Sequence, residues 1–245
     1  MNKAHLEREH KPSLLIVVGS SSALAQNIVP SLDSHDVFVA FSTQNGKIEH
    51  GGNTYNTNVY DSTDYESLHN IFNSALLPAR SQVGRVSIIS FTGAKDSQLF
   101  IALSGEAIQS LLSINFTVNS FFANLVIQKY RGIPISMVFI SSAGALSGDV
   151  GSTMYSSAKN ALNGLARGIA IEYGRFQINA NVIALGVLPF GLRNSVPEKR
   201  LKEMMQKTAS RTFVKLENVT SSIRFVLTNS DVNGAVIPCD GGYFT

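Results

Sequence analysis

The chain has 245 residues, of which 44% are hydrophobic and 15% charged, with a formal charge of +3, one cysteine and no tryptophan. That apolar share excludes a disordered or fibrous chain, and the lone Cys239 excludes an intrachain disulfide framework or a cysteine zinc site. The length suits one compact unit with a large core, and the charge, taken whole, is too mild for a nucleic-acid binder.

Residues 1–11 read as a mobile polar arm, because MNKAHLEREHK is charged where a signal peptide needs an apolar core. The apolar run Leu14 to Val18 is far short of the ~20 residues that span a bilayer, so no membrane partner is expected and the localisation reads as cytoplasmic. From residue 12 to 245 a single domain is predicted. Its strands are Ser13 to Val18, Asp36 to Phe41, a weaker polar run near Thr54 to Val59, Val86 to Phe91, Ile135 to Ile140, Ile178 to Ala184 and Ala235 to Pro238. Several are apolar without alternation and have helical patterns between them. That order predicts an α/β fold, a doubly wound Rossmann-type domain with a seven-stranded parallel sheet and helices on both faces.

After the first run comes VVGSSSALAQN, a strand, a small-residue turn and a helix start, the arrangement in which a dinucleotide pyrophosphate meets a helix N-terminus. Gly19 is the one glycine where a fingerprint has three, with Ala23 and Ala25 in the other two places; a Ser/Ala-rich turn of this kind also occurs in α/β proteins without a cofactor. Alanine bars φ > 0 and holds the backbone about a methyl farther from phosphate. Pro30 is expected to kink or end the helix. The second strand ends Phe41-Ser42-Thr43-Gln44 with no carboxylate to repel a 2′-phosphate, which favours NADP over NAD, although no Arg or Lys stands at Ser20 to Ser22.

In the helix around residues 106 to 129, Ile108, Leu111, Leu112, Val118, Phe122, Leu125 and Val126 recur at helical spacing, and Asn115 falls inside that apolar stripe. A buried amide must find partners, whether in a site or simply in backbone. Ser142 closes the strand ISMVFIS and emerges at the carboxyl edge of the sheet, where open α/β folds bind ligands. Thirteen residues later, Tyr155 and Lys159 stand four apart, in front of a stripe of Ala158, Leu162, Leu165 and Ile169. On a helix the pair shares a face, and an ammonium near a phenol lowers its pKa toward a usable acid. A surface pair would have the same spacing. Ser195-Val-Pro-Glu198 predicts a capped helix running through Leu201 and Met205.

Together these residues resemble the short-chain dehydrogenase/reductase family over essentially all of residues 13 to 245. Asn115, Ser142, Tyr155 and Lys159 match its catalytic tetrad in order and spacing, and INANVIALG and CDGGYF occupy its later motifs. Within the family the chain is most similar to 3-oxoacyl-[acyl carrier protein] reductases, through Gly93-Ala-Lys95-Asp96-Ser-Gln-Leu, FSTQNG, Asn58-Val59 and a compact segment after Gly186. The departures are Ser90-Phe91-Thr92-Gly93 for Asn-Asn-Ala-Gly, Leu185-Gly186 for Pro-Gly, and Phe190 for a threonine.

The resemblance implies reduction of a 3-oxoacyl thioester in fatty-acid or polyketide-type biosynthesis. NADPH would be held by Gly19, Ser21, Ser22, Ala23, Leu24, Ser42, Thr43, Asn58, Val59, Gly93, Tyr155, Lys159, Gly186 and Leu188. Tyr155 would protonate the carbonyl oxygen, Ser142 would hydrogen-bond to it, Lys159 would hold the nicotinamide ribose and lower the Tyr155 pKa, and Asn115 would anchor a water; no metal is required. A lid over residues 187–215 and a homotetramer through the helices at 106–129 and 155–173 are also implied. Alternatives are a reductase of another ketone (a sugar, a quinone, a small ketone) and a cofactor-poor, non-catalytic structural or regulatory relative. Arg193 to Lys215 holds seven basic residues against Glu198 and Glu203, so the remainder of the chain is slightly acidic. That asymmetry suggests docking of an acidic acyl carrier protein, or else a solvated basic face.

Overall fold

The computed structural model describes residues 11–189 and 198–243. Residues 1–10 of the polar arm, Phe190, Arg193 and the start of the Ser195 to Glu198 capping box lie outside them.

In chain order the elements are β1 (Ser13–Val18), α1 (Ala23–Ile28), β2 (Val37–Ser42), β3 (Lys47–His50), β4 (Asn53–Val59), α2 (Tyr65–Ser74), β5 (Arg85–Ser90), α3 (Gly105–Leu112), α4 (Val118–Tyr130), β6 (Ile135–Ser142), α5 (Gly144–Ser147), α6 (Thr153–Tyr173), β7 (Ile178–Leu185), α7 (Glu198–Gln206), α8 (Leu216–Thr228) and β8 (Val236–Cys239). The strands form one sheet in the order β3-β4-β2-β1-β5-β6-β7-β8. All seven expected strands are present and pair in parallel. The eighth, β3, pairs antiparallel with β4 at the edge. Gly51 and Gly52, with φ of 55° and 78°, form the two-residue turn between them, a conformation that favours glycine at both positions.

Strand alternation divides the core into two layers. Leu14, Ile16 and Val18 face a cluster with Leu68 and Phe72 of α2, Phe122 and Val126 of α4, and Leu162 of α6. Leu15 and Val17 face the opposite cluster, with Ala25 and Ile28 of α1 and Val219, Ile223 and Val226 of α8. Because both faces are covered, β1 is apolar without alternation.

Two helices depart from regularity. α1 stops after six residues and passes into a 3-10 turn over Val29–Ser31 that contains Pro30, as the missing amide of proline requires. The helix expected over 106 to 129 is interrupted between α3 and α4 by a π turn at Ser113–Thr117, which contains Asn115. The whole run Gly105–Tyr130 is long and apolar enough to cross a bilayer, but half of its most apolar stretch is buried inside the protein. Phe122 and Val126, both fully buried, mark it as a core helix.

Candidate active site

β1 is flanked by β2 on one side and β5 on the other, so the chain crosses over in opposite directions and leaves a crevice at the strands' carboxyl ends. A cavity of about 360 Å³ lies there. It is lined by Ser22, Ala23 and Leu24 at the start of α1, by Gly93 after β5, by Ser142 ending β6, by Tyr155 and Lys159 on α6, and by Gly186 and Leu188 after β7. Leu201 and Met204 of α7 cover one side.

The remaining predicted cofactor residues stand outside this lining. Gly19 lies behind it, with φ +76° and space for no side chain: a Cβ would stand 2.8 Å from the Thr92 nitrogen. The Ser42 hydroxyl, fully buried, donates to Ser21 Oγ at 2.6 Å and accepts from the Gln44 amide at 3.2 Å. Its proton is therefore spent inside the protein, and the exposed hydroxyls at this corner are Ser21 and Thr43. Asn58 donates to the Ala40 carbonyl at 2.9 Å and ties β4 to β2, with Val59 beside it at the strand end.

At the catalytic end, Tyr155 is 8% exposed and Lys159 3%. Lys159 Nζ donates to the carbonyls of Thr92 at 2.6 Å and Ile140 at 2.8 Å, which joins α6 to the ends of β5 and β6. Burial pulls this ammonium down to about 7, while two carbonyl acceptors favour the charged form. Tyr155 departs from the expected lowering. Burial pushes the phenol up to about 12, and the hydrogen bond with Ser142 opposes it. The expectation failed because the ammonium is aimed at two main-chain carbonyls, so desolvation dominates at the ring. Lys95 lies with its ammonium 5.6 Å from the Tyr155 ring centroid.

Asn115 is fully buried, and its amide is spent on backbone. Nδ2 donates to the carbonyls of Ala94 and Leu111, each at 2.8 Å, and Oδ1 accepts from the Ala94 amide at 3.3 Å. The side chain braces the loop after β5 against the π turn. One turn further on, Asn119 Nδ2 donates to Asn115 O at 3.0 Å and to Thr92 Oγ1 at 2.8 Å. Thr92, Asn119 and Lys95 were not identified from sequence as site residues. A second amide four residues after Asn115, inside the same apolar stripe, was the available signal for Asn119.

The lining fits a nicotinamide dinucleotide at its catalytic end. A Cβ on Gly93 would stand 3.3 Å from Lys159 Nζ and 3.6 Å from Asn115 Oδ1, so glycine keeps that floor open. At the other end, Ser22 caps α1 by accepting from the Ala25 amide at 3.1 Å, and Ala23 places an exposed methyl on the wall.

The sequence pattern of a reductase family, described as enoyl-(acyl carrier protein) reductase, matches residues 18–244. The chain belongs to this short-chain dehydrogenase/reductase family. Relatives of this reductase family include the acetoacetyl-CoA reductase of Synechocystis sp., 25% identical over 242 residues that cover 95% of this chain and 96% of that one. L-xylulose reductase of Mus musculus is 28% identical over 172 residues, covering 67% and 70% of the two chains. The solved structure of a 4-hydroxyisoleucine dehydrogenase complexed with NADH shares the fold, with a TM-score of 0.75 at 18% identity over 94% of this chain and 97% of that one. Phe91 and Thr92 both line the cleft wall.

Proposed function

We infer that the chain reduces the 3-oxo group of an acyl thioester, carried by an acyl carrier protein, with NADPH as reductant. The observation that carries the reduction is the meeting of Ser142, Tyr155 and Lys159 in one cleft at the sheet's switch point. The reduced nicotinamide, when bound, supplies the hydride. Tyr155 holds the proton on its phenol oxygen at neutral pH and hands it to the carbonyl oxygen, while Ser142 donates to the same oxygen and offsets its developing charge. Lys159 keeps one N–H beyond its two carbonyl bonds for the cofactor ribose. Asn115 holds the Gly93-Ala94 floor in place, and Gly186 and Leu188 border the nicotinamide side.

The thioester substrate is supported by end-to-end similarity to the acetoacetyl-CoA reductase. NADPH over NADH is supported by the β2 end, where Ser42, Thr43 and Gln44 carry no carboxylate. Carrier docking is supported by the basic run that includes Lys199, Lys202, Lys207, Arg211 and Lys215, although Lys202 pairs with Glu198 at 3.0 Å and Lys207 with Asp149 at 3.8 Å. The contacts of Leu201 and Met204 with the cleft support a lid formed by α7; residues 190–197 of the expected 187–215 lid lie outside the described residues. A cytoplasmic homotetramer through α3, α4 and α6 belongs to the same reading, supported by Leu112 and Ile171 exposed at 41% and 78%.

The test follows NADPH absorbance with acetoacetyl thioester and a panel of sugars, quinones and small ketones. Turnover of the thioester is expected, falling about 100-fold or more in Tyr155→Phe. Preference for a sugar ketone would favour the reading suggested by L-xylulose reductase. Absence of both turnover and NADPH binding, read by cofactor fluorescence in a chain without tryptophan, would leave a non-catalytic relative.

A further inference from the structure

A 2′-phosphate on the cofactor ribose calls for a cation nearby, and the turn after β1 holds neither Arg nor Lys. The fold brings one from the edge hairpin. Gln26, on α1, donates from its side-chain nitrogen to two carbonyls, Ser20 O in that turn at 2.8 Å and Lys47 O at the start of β3 at 2.9 Å. The phosphate turn and the first residue of β3 therefore stand side by side, one amide apart. The loop between β2 and β3 is fixed from its other flank, where Thr57 of β4 donates its amide to Gly46 O at 3.0 Å and its hydroxyl to Gln44 O at 3.1 Å. Ile48 and His50 point inward, which leaves Lys47 and Glu49 on the outer face of β3, with Glu49 two residues farther from the turn. Lys47 makes no ion pair among the described residues, and its ammonium sits on a flexible four-carbon stem. A second feature points to an anion at the same corner. The Gln44 amide donates to Ser42 Oγ at 3.2 Å, and Ser42 donates to Ser21 Oγ at 2.6 Å. Exposed Ser21 therefore accepts from behind and has its own proton to donate outward, at the end of a chain in which each bond polarises the next.

We propose that Lys47 supplies the cation for the 2′-phosphate of NADPH, with the hydroxyls of Ser21 and Thr43 as its neutral donors. The edge hairpin, and not the turn after β1, then sets the choice between NADPH and NADH. This rests on the reading of the cleft as an NADPH site. Ser21 and Thr43 stand among the residues expected at the cofactor from sequence, whereas Lys47 enters only through the bond from Gln26 that joins α1 to β3. A phosphate dianion gains charge-assisted hydrogen bonds from this set, and the free 2′-hydroxyl of NADH does not.

The test measures binding of NADPH and NADH at low salt by the fluorescence of the reduced nicotinamide, with no carbonyl substrate present. The wild type is expected to bind NADPH about tenfold or more tightly than NADH. Lys47→Ala is expected to weaken NADPH about tenfold and to leave NADH unchanged, so that the preference closes, while Lys47→Arg keeps most of it. Gln26 bonds to the main chain of residue 47, so the hairpin keeps its place in both variants, and thermal melts matching the wild type check this. A preference that persists in Lys47→Ala, or an equal fall for both cofactors, overturns the role of Lys47 and leaves the NADPH reading standing. A wild type that binds the two cofactors alike, or NADH more tightly, overturns the NADPH reading and the proposal together. Binding of neither overturns the dinucleotide site itself, and the proposal with it.

Discussion

Gly19 offers a sharp test of how β1 and β5 meet behind the site. Its φ is +76°, and a Cβ would come within 2.8 Å of the Thr92 nitrogen and 2.9 Å of the Phe91 carbonyl carbon. Gly19→Ala forces a left-handed conformation on a residue with a side chain, costing about 1 kcal/mol. It also drives a methyl into main-chain atoms that cannot rotate away, adding about 1–3 kcal/mol. Together these lower stability by about 2–4 kcal/mol, or the melting temperature by about 4–16 °C in this size class. Turnover should fall as well, because the displaced Thr92 supplies the carbonyl that accepts from Lys159 at 2.6 Å. Gly46→Ala is the control: nothing lies within 4 Å of a Cβ there, and its backbone is outside the left-handed region. That variant should match the wild type or gain up to about 1 kcal/mol. Thermal and urea unfolding of both variants read the difference, and a Gly19→Ala protein melting within about 1 °C of the wild type would refute the close approach.

Asn119→Ala removes the donor to Asn115 O and to Thr92 Oγ1, which keeps only Ser90 Oγ at 3.2 Å; a loss of about 1–3 kcal/mol in urea unfolding is expected, and a loss under about 1 kcal/mol would mean that water replaces the amide. Burial lowers both His35 and His50 below 6.5, so between the folded and unfolded values the unfolded chain binds more protons and stability rises with pH. This contribution is complete above pH 6.5 and is lost as pH falls through the folded values. His50→Phe keeps an aromatic ring against Phe38, now stacked at 4.8 Å, and should flatten the stability slope below pH 6.5; an unaltered slope would place its origin at other groups.

The central strands were legible because their environment is uniform. Leu14 to Val18 are covered on both faces, so the sequence shows an unbroken apolar run short enough to be a strand. β3 was not legible: only Ile48 and His50 point inward, and one apolar residue in four does not show a period. The paired glycines at 51 and 52 were its only mark. The π turn escaped because apolar spacings of three and four absorb one extra residue without a break; Asn115 and Asn119 were the trace it left. Tyr155 and Lys159 could be placed on one face because a single helix carries both. Where the ammonium points could not be read, since its acceptors come from Thr92 and Ile140 at the ends of two other elements. Ser42 shows the same limit, its hydroxyl being spent on Ser21 across a gap of twenty-one residues.

The two hydrogen bonds from Lys159 to Thr92 and Ile140 bear on how inactive variants should be interpreted. A knockout of this lysine removes a cation from the reaction centre, and in the same stroke strips the donor from two buried carbonyls that join α6 to β5 and β6. Lost turnover in Lys159→Met therefore mixes chemistry with architecture. Lys159→Arg does not separate them either, because a planar guanidinium cannot occupy the position of a compact ammonium between two strand ends. A redesign that moved the proton chemistry elsewhere would still need some other donor to close that seam.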